Sequence, residues 1–306
     1  AETAAKMIKI HGFGAGTRKR RKLLRRKNFW DEAILFCKKS GIKIDNSKKM
    51  CYHINTVKLR SRKKMMYYIF MGLLLLCALF ATWTSAKVNS TYSAFRNEEA
   101  SSKMTGYDTA MRLLRANDVD DIAVEKVQGN LTDHYNPSKK LVNLSESTYG
   151  DDSVASVAVA AHEIGHVMQK KSGYVPYKIR TALVPLANIG SFLALPLVIL
   201  GVILELSIFA ATSAGTGFNI AMVGVAAYGL STLFTLVTLP VELDASRRAK
   251  AMLIEEGILN EEELYGASKV LKAAMTYVAA LATSLVYFLR FLWYVLLIFG
   301  GGKKKK

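Results

Sequence analysis

Apolar positions in this chain are gathered rather than dispersed. Four runs, at residues 65–83, 182–212, 218–240 and 273–300, are almost free of charge. The first and third hold no charged residue; the second is interrupted only by Pro185, Pro196 and Glu205, and the fourth only by Arg290. At a rise of about 1.5 Å per residue, each is long enough for a helix to cross a hydrocarbon core of roughly 30 Å. The second and third are joined by a short stretch rich in Gly, Ser and Thr, which predicts a helical hairpin. The pattern predicts an α-helical integral membrane protein with four transmembrane helices.

Between the runs lie two polar segments with different periods. In 85–181, Thr105 is placed to cap a helix through Leu114, with Asp108 closing a capping box. Residues 122–127 alternate like a strand, and 131–135 and 141–144 read as two more, separated by the turn residues Asn136, Pro137 and Ser138. Asp151, Asp152 and Ser153 then cap a helix that runs to about Lys171 and stops at Gly173. In 241–272, a helix from about Glu242 ends at Gly257. A second, capped by Asn260 with Glu263 at its third position, is expected to run straight into the fourth apolar run. Because the hairpin crosses and returns, both polar segments must face the same side of the membrane, and a site built from both is possible.

Charge changes the picture only at the N-terminus. Residues 1–64 carry 20 of the 42 Lys and Arg but only 4 of the 24 Asp and Glu, so most of the formal net charge of +18 resides there. The basic extension could be a targeting or nucleic-acid-binding arm, an anchor on anionic lipid, or a segment outside the native protein, since Met65 and Met66 would make a natural start. No nucleic acid is expected as a partner of the rest. With the extension cytosolic, the positive-inside rule puts the polar segments outside. Without it, Lys178, Arg180, Arg247 and Arg248 favour the cytosol. The three cysteines, Cys37, Cys51 and Cys77, form no CxxC or Cys/His cluster, so neither a disulfide framework nor cysteine metal ligation is expected. Glu205 and Arg290, deep in their runs, could pair with each other or snorkel separately to the interface.

The chemistry is concentrated at His162-Glu163-Ile164-Gly165-His166. Positions i and i+4 share a helix face, so both imidazoles can reach one ion, and Glu163 beside the first can take a proton from an attacking water. The helix is otherwise apolar on nearly all faces, and burying the set unpaired would cost several kcal/mol; one zinc ion per chain explains why it is tolerated. A catalytic zinc takes three protein ligands and keeps one position open. Glu242 is the expected third ligand, with Asp244 the alternative or a group that orients a ligand histidine. Helix N-terminal capping by these acids is the competing reading. The expected function is hydrolysis of peptide bonds in membrane or membrane-proximal proteins, with the bilayer and a membrane-associated polypeptide as partners. A non-catalytic scaffold whose structural zinc is closed by a fourth ligand such as His134 is the alternative.

The chain divides accordingly into the extension (1–64), transmembrane helix 1 (65–84), the HExxH segment (85–181), the hairpin (182–240), the third-ligand segment (241–272), transmembrane helix 4 (273–300) and a lysine tail (301–306). Four stretches carry a resemblance: Ala160 to His166, Gly129 to Pro137, Leu183 to Gly190, and Leu239 to Arg248. Taken in chain order they resemble the bacterial neutral zinc metallopeptidases of the YugP type over roughly residues 65–291, and more distantly the HtpX and CaaX-protease type of membrane gluzincin. In those, the downstream motif has the form Glu-x-x-Ala-Asp; here Ser246 stands where the Asp falls, and Asp244 could take over its role. The resemblance implies a small α+β zincin-like catalytic unit with an antiparallel edge strand over the active helix, supplied by 131–135 or 141–144 and able to pair with extended substrate. It also implies an oxyanion donor, for which His134, Tyr135, Arg247 and Arg248 are candidates.

Overall fold

The computed structural model describes residues 44–206 and 215–299. The basic block before residue 44, the hairpin turn, the end of the second run and the lysine tail lie outside the described residues. The chain divides into two units, Ala1–Ile69 and Phe70–Lys306. Over its described residues the first is the N-terminal part of helix α1 (Ile44–Arg96). Everything below concerns the second.

The fold is mostly helical, with four long apolar helices and one small sheet. After α1 come α2 (Gly106–Ala116), β1 (Ala123–Val127), β2 (His134–Asn136), β3 (Leu141–Ser145), the short α3 (Glu146–Tyr149) and α4 (Val154–Lys171). The expected caps form. The Thr105 hydroxyl accepts from the Asp108 amide at 3.1 Å, and the Asp108 carboxylate accepts from the Thr105 amide at 3.1 Å. Ser153 caps α4, and Gly173, at φ +67°, takes the left-handed conformation just beyond its end.

The sheet order is β1-β3-β2, with β1 and β3 parallel and β2 antiparallel to β3, pairing His134 with Asn143 and Tyr135 with Val142. Two expectations change. The strand at 141–144 is central, so it cannot be an edge that accepts substrate; β2 is the antiparallel edge. The strand expected at 131–135 begins only at His134. Leu131 sits at φ +54°, outside the β region, and the Asp133 side chain instead accepts from the Ser145 amide at 2.7 Å and the Ser145 hydroxyl at 2.9 Å.

The next helices are α5 (Val175–Leu206), α6 (Thr216–Glu255), α7 (Glu261–Val270) and α8 (Met275–Phe299), with a 3-10 turn (Leu271–Ala274) between the last two where an unbroken helix was expected. There Val270 and Leu271 are buried in the polar-segment core, and the tighter turn intervenes before the apolar helix begins. More consequential is α6, which runs unbroken through Pro240, so the third apolar run and the Glu242 segment are one helix. Pro240 removes only one backbone bond. Beyond it Val241, Ala245, Ala249 and Leu253 are fully buried in a single stripe at helical spacing, so packing outweighs the break.

Two cores result. One gathers α2, β3, α4, the end of α6 and α7 around α4, whose Ala155, Ala158, Ala160 and Ala161 are fully buried. The other holds Val198, Ala221, Val225 and Val295 between α5, α6 and α8. In α5 and α6 the backbones nearly touch: a Cβ on Gly190 would lie 2.4 Å from the Ala227 carbonyl oxygen. The Ser231 hydroxyl donates to the Ala187 carbonyl at 2.9 Å across the same contact. Small residues and interhelical hydrogen bonds are how helices associate where lipid removes the hydrophobic drive. The outer faces are apolar, with Phe192 79% exposed, which suits hydrocarbon and not water. Arg290 lies over the Tyr294 ring, 5.5 Å from its centroid; the side chain of Glu205, its partner in one of the two alternatives, falls outside the described residues.

Candidate metal centre

Small residues let α4 run through the middle of its core, and they bring α6 close. At Gly165 a Cβ would stand 2.5 Å from the Ala245 carbonyl oxygen, so only glycine permits this approach. The crossing sets Glu242 against the two histidines. Its Oε2 lies 3.3 Å from His162 Nε2 and 3.7 Å from His166 Nε2, and ligand atoms of the three residues lie within 4.8 Å of one another. A tetrahedral zinc with bonds of about 2.0–2.1 Å keeps its donors roughly 3.3 Å apart, so two imidazoles and one carboxylate so arranged fit that ion. The Glu242 side chain is 4% exposed and that of His162 20%, so the cluster opens on the His162 side.

The rear of each imidazole is also held. The Ser246 hydroxyl meets His162 Nδ1 at 3.2 Å. Ser246 therefore contacts the first histidine from behind. His166 Nδ1 meets Gln169 Oε1 at 3.0 Å, and the Gln169 amide nitrogen donates to the Val241 carbonyl at 2.7 Å and to Asp244 at 3.0 Å. Asp244 therefore stands behind His166 through Gln169, away from the donor cluster, and is clasped by Arg247 and by Arg248, whose Nε donates at 2.6 Å. Arg247 and Arg248, two of the candidate oxyanion donors, thus both pair with Asp244. Arg180 of α5 is the cation at the site, its Nη2 3.6 Å from Glu242 Oε1.

Burial alone would push the His166 imidazole toward neutrality, but a hydrogen bond donated by the charged ring to Glu242, the charges of Glu163 and Glu242 and the bond to Gln169 outweigh it and hold its pKa above the ordinary 6.5. Glu163 is buried on the same helix, and its charge reaches His166 and Tyr177. Tyr277, in the first turn of α8, interacts with Glu242 and Glu163.

The other candidates lie on the edge strand. His134 spends both ring nitrogens locally, on the Thr132 carbonyl at 2.8 Å and the Asn143 amide at 3.1 Å. Tyr135 is half-buried, and Lys170 of α4 sits over its ring while donating to the Pro137 carbonyl at 2.7 Å, which ties β2 to the end of the histidine helix. Burial, reinforced by Tyr177 and Asp121, pushes the Tyr135 phenol up to about 12, so it stays a donor throughout the neutral range.

Sequence reasoning did not find Gln169, Arg180, Tyr277 or the contact of Ser246. Gln169 had a signal, since it stands three residues after His166 and seven after His162 on the same helix face. Arg180 and Tyr277 had none, because Arg180 reads only as a charge near a membrane end and Tyr277 lies in a run that reads only as apolar.

The family profile described as "Putative neutral zinc metallopeptidase" matches residues 68–296. The chain is 39% identical over 227 residues to the "Putative membrane protease YugP" of Bacillus subtilis (strain 168), an alignment covering 74% of this chain and 95% of that protein. No solved structure matches it.

Proposed function

The chain belongs to the neutral zinc metallopeptidase family, and from that premise we propose that it is a membrane-bound endopeptidase with one zinc per chain held by His162, His166 and Glu242. The observation that carries this reading is the meeting of three donors, two from α4 and one about eighty residues away on α6, within 4.8 Å. Substrates are polypeptides in or near the membrane, since four helices are long and apolar enough to cross one, and two of them, α5 and α8, bring Arg180 and Tyr277 to Glu242.

When bound, zinc supplies Lewis acidity that makes water nucleophilic near neutral pH. Glu163, adjacent to the first ligand, takes one proton from the attacking water and returns it to the leaving amide nitrogen as the C–N bond breaks. His162 and His166 present Nε2 and stay oriented by Ser246 and Gln169. Tyr135 and Tyr277 are the phenols available to the carbonyl oxygen as it gains charge. The β2 edge offers backbone pairing to an extended substrate. Three donors leave the fourth position for chemistry, and His134, with both nitrogens partnered elsewhere, speaks against a closed structural site.

The test is Glu163→Gln. It should retain zinc at wild-type stoichiometry while peptide-bond cleavage falls by about 10²–10⁴-fold, and a chelator should abolish cleavage by the wild type. Normal cleavage by the Gln variant would remove the general-base role.

A further inference from the structure

Resting on the zinc reading above, we infer that Gln169 is a positioning residue: one buried amide dictates where the proton of His166 sits and holds α6 in register so that Glu242 meets it. The argument begins with groups that have no proton to give. Gln169 is fully buried, and two of its three neighbours, the Val241 carbonyl oxygen at 2.7 Å and the Asp244 carboxylate at 3.0 Å, can only accept. Asp244 is kept ionised by Arg247 and Arg248. The amide nitrogen must therefore face them, which turns the amide oxygen toward His166 Nδ1 at 3.0 Å. An amide oxygen cannot donate, so Nδ1 carries the hydrogen and Nε2 offers its lone pair toward Glu242 Oε2, 3.7 Å away. No such logic applies to His162, because the Ser246 hydroxyl at its Nδ1 can donate or accept. The same amide binds the carbonyl of the residue immediately before Glu242. It thereby links one ligand to the backbone that carries another.

Ordinary core packing predicts something different. Gln169→Met keeps the length and apolar bulk of the side chain but has neither donor nor acceptor. Asp244 retains its two arginines and Val241 its place in the helix, so His166 Nδ1 is the group left without a partner. The full-length zinc-loaded chain in detergent should bind zinc about 10–100-fold more weakly as Gln169→Met than as wild type, in competition with a chromophoric chelator. Imidazole nitrogen NMR of the loaded wild type should place metal on Nε2 and the proton on Nδ1 of His166. Unchanged affinity in a folded Gln169→Met variant, or metal on Nδ1 in the wild type, overturns the inference. Should the variant not fold, the wild-type spectrum decides alone, upholding the inference with the proton on Nδ1 and overturning it with the proton on Nε2. A wild-type chain that takes up no zinc removes the metal reading itself, an outcome distinct from a wild type that binds and a variant that binds equally well.

Discussion

Gly165 shows how a residue with no functional group can govern the geometry of a candidate metal site. It lies between the two histidines of the cluster, and its missing side chain is the space through which α6 approaches α4. In Gly165→Ala the new methyl would stand 2.5 Å from the Ala245 carbonyl oxygen, and backbone must move. Such overpacking typically costs about 1–3 kcal/mol. Here the motion separates Glu242 from the imidazoles, so zinc affinity should fall about tenfold or more in a chelator titration, with the helix content of the protein unchanged by circular dichroism. The protonation of His166 gives a second expectation. Only a neutral imidazole binds zinc, and the site holds this pKa above 6.5, so a proton competes with the ion as pH falls through that raised value. Zinc affinity should then drop by about tenfold per pH unit for each proton displaced. Without zinc the sign reverses. The raised pKa stabilises the fold fully below 6.5, and that contribution fades as pH rises through the folded-state value. Calorimetric zinc titrations between mildly acidic and neutral pH check the first trend, and melting curves of the metal-free chain check the second.

At the scale of elements, caps place the helices that place the site. The α7 capping box is reciprocal, with Asn260 accepting from the Glu263 amide and Glu263 from the Asn260 amide, both at 2.9 Å. The buried Glu263 carboxylate also accepts from the Ser101 amide at 2.6 Å and the Ser101 hydroxyl at 3.0 Å, joining α7 to the loop after α1. Asn260→Ala should lower stability by about 1 kcal/mol, the usual loss for one cap. Glu263→Ala should cost more, about 2–3 kcal/mol, because it removes the charged acceptor of hydrogen bonds in two places, at the Asn260 amide and at Ser101. Denaturant melts of the two variants give the order, and an equal loss would mean the Ser101 contact contributes nothing. These caps were legible in the sequence because they are written in three or four consecutive residues. The order of the strands was not. That β3 lies between β1 and β2 follows from pairings across the fold, and the left-handed backbone at Leu131 left no mark in the alternation of its neighbours.

For the molecule as a whole, membrane placement carries the strongest expectation. Lys178 at the start of α5 and Lys250 near the end of α6 are both exposed and flank a pair of helices long and apolar enough to cross a membrane and return. An impermeant amine reagent should label both in intact cells or neither. Labelling of one alone would contradict the hairpin.

Four apolar helices, the helix that carries His162, Glu163 and His166, and the acidic pair Glu242 and Asp244 follow from residues near one another in the chain. Helical periodicity and capping are local, and bilayer thickness fixes the length an apolar run must have. Only the tertiary structure decided the rest: that α6 runs unbroken through Pro240, that Glu242 and not Asp244 faces the imidazoles, that Ser246 and Gln169 stand behind them, and that Arg180 and Tyr277 close in from the membrane helices. Those outcomes depend on which helix faces meet and how closely two backbones can approach, and such distances are set by packing between parts of the chain that share no local pattern.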